Sequence, residues 1–363
     1  MKDYKTLTTR EMFALVTLLV GIKFADTTPA LLAQKGQNAF WMIPIISFLI
    51  IFPSFLLLIY LLKRYKDKNL VELLEKVLGR FFGKSLGFLL FILAYATLIF
   101  DSRNYVEQIK LLYYPQSPTL IISIVFMAVI FFCAKRGFEV IGFTSWIGLP
   151  LIKFAVFLLA ALIFKEAVWN RIFPIFGSGV QVIVMEGVKN SSIFLEFFLL
   201  TIAYTAFKDT KFFRRGSYFG GLFVIFEIIL FFLLYTVIFD YNSIDKIAFP
   251  FHEITQYINF GDYFTNIETF FMVFWLFAGF MRFIILLYLI TWIFGAVFNI
   301  NEFEPLLFPF AFLALMIGVI PENAIVNELI IRDLLLDIST PLFVLFPFIL
   351  WIVALCKGEL KKT

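Results

Sequence analysis

The chain has 363 residues, 62% of them hydrophobic and only 15% charged, with a mean hydropathy of +0.95. A water-soluble globular domain needs far more polar surface, so this composition indicates an integral membrane protein. The formal net charge of +4 is small, and an uneven spread of lysine and arginine between the two membrane faces accounts for it without a nucleic-acid partner.

The hydrophobic runs approach or exceed the roughly 20 residues a helix needs to cross about 30 Å of hydrocarbon, and they lack the alternation of barrel strands. Ten spans are predicted near residues 10–34, 39–62, 86–110, 118–134, 138–164, 188–207, 218–239, 265–297, 304–320 and 340–356. Placing both termini in the cytoplasm puts the majority of the 30 lysines and arginines inside, among them Lys2, Lys5, Arg10, the KRYKDK loop, Lys135, Arg136, Arg214, Arg215 and Lys357. Lys35, Lys110, Lys165, Arg171, Lys189, Lys246 and Arg332 then lie outside, which fits the positive-inside rule. The opening MKDYKTLTTREM leads into the first span without a small-residue cleavage pattern, so no removable signal peptide is expected.

Two loops carry the 3.6-residue apolar period of a surface helix: NLVELLEKVLGR at 69–80, on the cytoplasmic side, and FHEITQYINF at 251–260, outside. Their opposite placement suggests one transmembrane domain over 1–363, made of inverted halves near 10–164 and 188–356. Secondary transporters are commonly built this way, with sites at the repeat interface near mid-membrane and a broken first helix in each half.

Within the first span, GIKFADTTP has the features of such a break. Gly21 permits unusual backbone geometry, Pro29 removes a donor and restricts Thr28, and Thr27 and Thr28 can satisfy freed backbone groups. Lys23 and Asp26 either meet a ligand there or pair with each other, since a persistent helix would place them one turn apart. The matching segment, KNSSIFLEFFLLTIAYTAFKD, offers Ser191, Ser192, Glu196, Thr201 and Tyr204, yet holds no glycine or proline to break it. Serines and threonines in membrane helices also commonly bond a carbonyl one turn back.

Two further cations lie deep in spans, Lys153 in the fifth and Arg282 in the eighth. Either one of them stands where a coupled transporter would hold a sodium ion, or each pairs with a carboxylate, the candidates being Asp26, Asp101, Glu107, Glu196 and Glu227. Asp101, Arg103 and Glu107 are spaced for pairing along one helix and suggest a structural or gating cluster. His252 is the sole histidine, which excludes imidazole clusters for metal, and Cys133 and Cys356 fall at cytoplasmic helix ends where thiols stay reduced. The 52 phenylalanines and runs such as FFLLY and FFMVFWLF indicate packing. No phosphate loop, catalytic triad or metal-ligand spacing occurs, so neither an enzyme nor a cofactor is expected.

Several stretches, in order along nearly the whole chain, resemble the spore germinant-receptor B subunits, the endospore germination permeases of the amino acid/polyamine/organocation superfamily. They are LTTREMFALVTLLVGIKF, KNLVELLEKVLGRFFGKSLGFLL, AKRGFEVIGF, AFPFHEITQYINFGDYFTNIETFFMVFWLFAGFMR and FNINEFEPLLFPFAFL. The resemblance implies an all-α, leucine-transporter-type 5+5 fold with helices one and six broken. It also implies a place in the spore inner membrane beside an A-type subunit and a lipoprotein C-type subunit, and sensing of a small nutrient, usually an amino acid. Relatives commonly carry a glycine pair in helix six and apolar residues after the helix-one glycine, where this chain has SIFLEFFLL and Lys23, Asp26 and Thr27. Three functions are consistent with these features: a germinant sensor; an amino acid transporter, either facilitative or proton-coupled with Glu196 or Asp26 as proton carrier; or a scaffold subunit that binds no ligand.

Overall fold

Capping chemistry and breaker residues set most of the element boundaries in the computed structural model, which describes residues 6–66, 68–244, 246–258, 267–321 and 331–360. Helix α1 (Thr9–Leu19) opens on a capping box, with the Thr8 backbone N–H donating to Glu11 Oε2 at 2.8 Å. It gives way to a 3-10 turn at Gly21–Phe24, and α2 (Thr28–Gly36) restarts with Pro29 in its first turn. A second 3-10 turn, Gln37–Met42, leads into α3 (Ile43–Arg64).

The amphipathic α4 (Leu70–Leu78) is capped reciprocally by Asn69 and Glu72, both bonds at 3.0 Å. Gly79, at φ 87°, turns the chain straight into α5 (Arg80–Tyr113). Gly83 lets the two helices touch, because a Cβ there would stand 2.5 Å from Glu75 N. Then come α6 (Thr119–Ala134), α7 (Phe138–Ile163) and α8 (Val180–Lys189). After α8 the chain makes a 3-10 turn at Ser191–Phe194, the single turn α9 (Glu196–Leu199) and another 3-10 stretch, Leu200–Ala206.

It continues with α10 (Thr210–Ile238), α11 (Tyr241–Ile244), α12 (Pro250–Gln256), α13 (Ile267–Phe298), α14 (Leu307–Gly318) and α15 (Asp333–Cys356). Among the described residues, six helical stretches are long and apolar enough to cross a membrane, and 119–134, 191–206 and 304–318 are shorter apolar helices. The core centres on α13, which is buried without interruption from Met281 to Ile293. Small residues let neighbours approach closely, as membrane helices require. A Cβ on Gly216 would lie 2.4 Å from Met12 Cβ, and one on Gly279 would overlap Tyr105. At the N-terminal end, Leu7 pairs with Phe207 as a parallel bridge, and Lys208 N–H donates to Leu7 O at 3.1 Å.

Three expected boundaries need correction. The helical stretch placed at 188–207 begins at Val180, so Gly187 belongs to it. The last helix begins at Asp333 rather than near 340. The helix expected over 251–260 runs Pro250–Gln256, and residues 259–266 lie outside the described residues.

Candidate functional site

The break in helix one is present, and three of its freed backbone groups have side-chain partners. Asp26 Oδ1 accepts from Thr28 N–H at 2.7 Å, satisfying the first free donor of α2 from within the break. Phe24 O accepts from the Tyr235 hydroxyl at 2.8 Å and Ala25 O from Trp275 Nε1 at 3.2 Å. These two aromatic residues lie in the runs read as packing; their rings are buried, while their polar tips close the break.

Helix six breaks as well, without a glycine or proline inside the break. Ser192 N–H donates to Thr340 Oγ1 (3.1 Å), Ser192 Oγ to Leu336 O (3.0 Å), and Thr340 Oγ1 to Lys189 O (2.6 Å). Ser47 on α3 donates to Gly187 O at 2.8 Å. Groups on α3 and α15 thus take up what the interrupted ladder leaves open, and backbone permissiveness in the break itself is not required.

Where the two breaks meet, six buried ionisable side chains form one network. Lys23 Nζ lies 2.7 Å from Glu196 Oε1. Arg282 Nη2 reaches Asp101 Oδ2 at 2.5 Å and Glu196 Oε1 at 3.1 Å, while its Nη1 stands 3.5 Å from Asp26 Oδ2. Arg332 approaches Asp26 Oδ2 at 3.4 Å and Asp101 Oδ1 at 3.9 Å, and it donates to Thr28 Oγ1 at 2.7 Å and Thr27 Oγ1 at 2.5 Å. With all six charged, three cations balance three carboxylates, the condition under which such a cluster tolerates burial.

Three sequence expectations change here. Lys23 and Asp26 are not paired with each other, because the helix that would stack them is broken between them; each reaches a different partner. Asp101 leaves the expected Asp101–Arg103–Glu107 group for Arg282 and Arg332, and only Arg103 and Glu107 pair along the helix, at 3.4 Å. Arg332, assigned to the outside, is buried at the centre. Because α15 starts well before its strongly apolar stretch, its leading arginine points into the bundle; the signal was a charged RDLLLD segment that shows the helical period once joined to the apolar residues after it.

The remaining candidates stand apart from this network. Lys153 Nζ pairs with Glu227 Oε2 at 2.8 Å, beside the helix-one break, where a Cβ on Gly21 would lie 3.5 Å from the same oxygen. Ser191 donates to Gly187 O at 2.9 Å and Thr201 to Phe198 O at 2.5 Å, both local backbone bonds. Tyr204 bonds Thr210 at the far end of helix six.

Little open space remains. The polar cavity beside the network, bordered by Lys23, Asp101, Ser192 and Arg332, has a volume of about 20 Å³, and so has an apolar one behind the helix-one break bordered by Ile22, Lys153 and Trp275. Each holds about one water molecule, not an amino acid. Past the network, Lys35 bridges Asp333 (2.7 Å) and Glu186 (3.6 Å), tying α2 to α15 and α8.

Comparison with known proteins places this architecture. The chain is similar in fold to a Na+-coupled sialic acid symporter, with a TM-score of 0.67 at 11% identity over 95% of this chain and 79% of the other. It is also similar to a manganese transporter of Eremococcus coleocola, at a TM-score of 0.55 and 14% identity over 94% and 76%. In sequence it is 31% identical to the putative spore germination protein YfkT of Bacillus subtilis (strain 168) over 130 residues, which are 35% of this chain and 34% of that protein. The matched stretch thus spans about a third of the relative's length. The family profile described as "Spore germination protein" matches residues 6–325. The chain therefore belongs to the spore germination protein family of permeases, as an integral membrane protein with the fold of transporters.

Proposed function

We propose that the chain is a B-type germinant-receptor subunit that binds a small nutrient, an amino acid, where the breaks of helices one and six meet. In this reading ten spans form a 5+5 inverted repeat with both termini in the cytoplasm. The protein sits in the inner membrane of the spore and passes its conformational change to an A-type subunit and a lipoprotein C-type subunit. The carrying observation is the convergence of Lys23, Asp26, Glu196, Arg282 and Arg332 on paired helix breaks in a member of this family. An amino acid brings one charge of each sign, so it can replace one internal ion pair without leaving net charge buried. Its carboxylate suits Arg332 or Lys23, and its ammonium suits Asp26 or Asp101. Binding then requires the Lys35 and Arg332 contacts of α15 to open, and it is this population shift that partners would sense. Lys153, paired with Glu227 against Gly21, supplies a fixed positive charge where a coupled transporter would use sodium, which favours a sodium-independent mechanism.

A second reading, a scaffold subunit, is favoured by the internal charge balance of the network, three cations against three carboxylates, and the 20 Å³ cavities. A binding screen of amino acids and nucleosides on purified protein, run beside uptake into proteoliposomes, separates the readings. Saturable binding without uptake supports the sensor, uptake supports a transporter, and neither, with complex assembly intact, supports the scaffold. An Asp26→Asn variant with an unchanged nutrient profile of germination would remove Asp26 from the site.

A further inference from the structure

Helices α3 and α10 pack tightly where Gly221 meets Phe52, since a Cβ on that glycine would stand 2.6 Å from the ring. Toward the end of α3 and the start of α10 they leave a groove with a free volume of about 450 Å³, far larger than either internal cavity. Its wall is apolar, from Leu56, Ile59 and Phe219; Tyr60 and Tyr218 flank it, and Lys63, Arg214 and Arg215 stand at its mouth.

Nearby cations hold the fold together. Lys357 donates to Val77 O at 2.7 Å, Arg64 approaches Glu359 O at 3.5 Å, and Lys84 lies 3.9 Å from Glu75. Lys63, Arg214 and Arg215 differ: they are exposed, and among the described residues none has a carboxylate partner. Three unpaired cations over an apolar slot, on the outer surface of a membrane protein and beside interfacial tyrosines, match an amphiphile with an anionic head. A water-borne anion would leave the apolar wall unused, and a zwitterionic lipid would bring no net charge to the mouth.

We propose that this groove is a binding site for an anionic phospholipid, its phosphate held by Lys63, Arg214 and Arg215 and an acyl chain lying along Leu56, Ile59 and Phe219. Near a membrane surface each such cation strengthens attraction to anionic lipid about fivefold, so losing both arginines weakens the preference by roughly 25-fold.

The test is native mass spectrometry of the full chain with mixtures of phosphatidylglycerol and phosphatidylcholine, with thermal unfolding in detergent plus each lipid as a parallel readout. The wild type should retain phosphatidylglycerol preferentially and be stabilised by it, and inorganic phosphate should not substitute. The Arg214→Ala/Arg215→Ala variant should lose the preference, whereas Lys135→Ala/Arg136→Ala, at another exposed basic pair, should keep it. If the double arginine variant does not fold, Lys63→Gln serves in its place, with a loss of roughly fivefold. Equal retention of the two lipids, an equal loss in the Lys135/Arg136 variant, or full substitution by phosphate would each overturn the proposal.

Discussion

Removing Glu196 and Lys23 singly and together tests whether the central network is ionised and whether its charges act as pairs. Both side chains are buried, at 0% and 4% exposure, and they meet at 2.7 Å. Glu196→Gln leaves Lys23 without its carboxylate and the cluster with one excess positive charge; Lys23→Met leaves one excess negative charge. Breaking a buried pair from one side costs about 3–5 kcal/mol. The double variant restores neutrality, because Arg282 and Arg332 remain with Asp26 and Asp101 in a closed square of contacts at 2.5–3.9 Å. Its cost should therefore fall to about 1–2 kcal/mol, a coupling of several kcal/mol between the two positions. Equilibrium unfolding in mixed detergent and SDS micelles, followed by tryptophan fluorescence, measures all three. Additive losses, or a near-neutral Glu196→Gln single variant, would refute the pairing.

Thr340→Val removes the hydroxyl that serves Ser192 N–H and Lys189 O, so it should cost about 1–3 kcal/mol and speed amide exchange at the helix-six break. Gly83→Val cannot be accommodated without moving α4, given the 2.5 Å approach to Glu75 N; hydrogen exchange over 70–78 should rise while that of α13 stays slow. Acidification should act through His252. Burial lowers its pKa below the ordinary 6.5, outweighing Glu253 and Glu268, and its ring lies 3.1 Å from the Tyr113 hydroxyl. The folded state thus favours neutral imidazole; its stabilisation is complete above about pH 6.5 and is lost as pH falls through the lower folded-state value. Protection of the amides across 250–256, relative to their intrinsic exchange rate at each pH, should fall as pH drops below about 6.5, and His252→Gln should flatten that change.

Local features were legible in the chain. The composition forced a membrane protein, the period of NLVELLEKVL marked α4, and the Gly21, Thr27, Thr28, Pro29 combination marked the helix-one break. Each depends on residues within a few turns of one another, so the sequence contains the whole cause. The resemblance to germination permeases, carried by short stretches in order, was likewise readable and agrees with the family match over 6–325.

Partner choice was decided only by the tertiary structure. Lys23 stands one turn from Asp26 in sequence yet joins Glu196, and Asp101 bypasses its own helix for Arg282, because a buried charge goes to whichever counter-charge packing brings within about 4 Å. The helix-six break lacks any breaker residue within it and exists because Thr340 and Ser47, far along the chain, supply hydrogen bonds that the interrupted ladder gives up. Arg332 reached the centre, and Tyr235 and Trp275 closed the helix-one carbonyls, for the same reason: composition and spacing fix which groups must be satisfied in a membrane, while three-dimensional packing selects the groups that satisfy them.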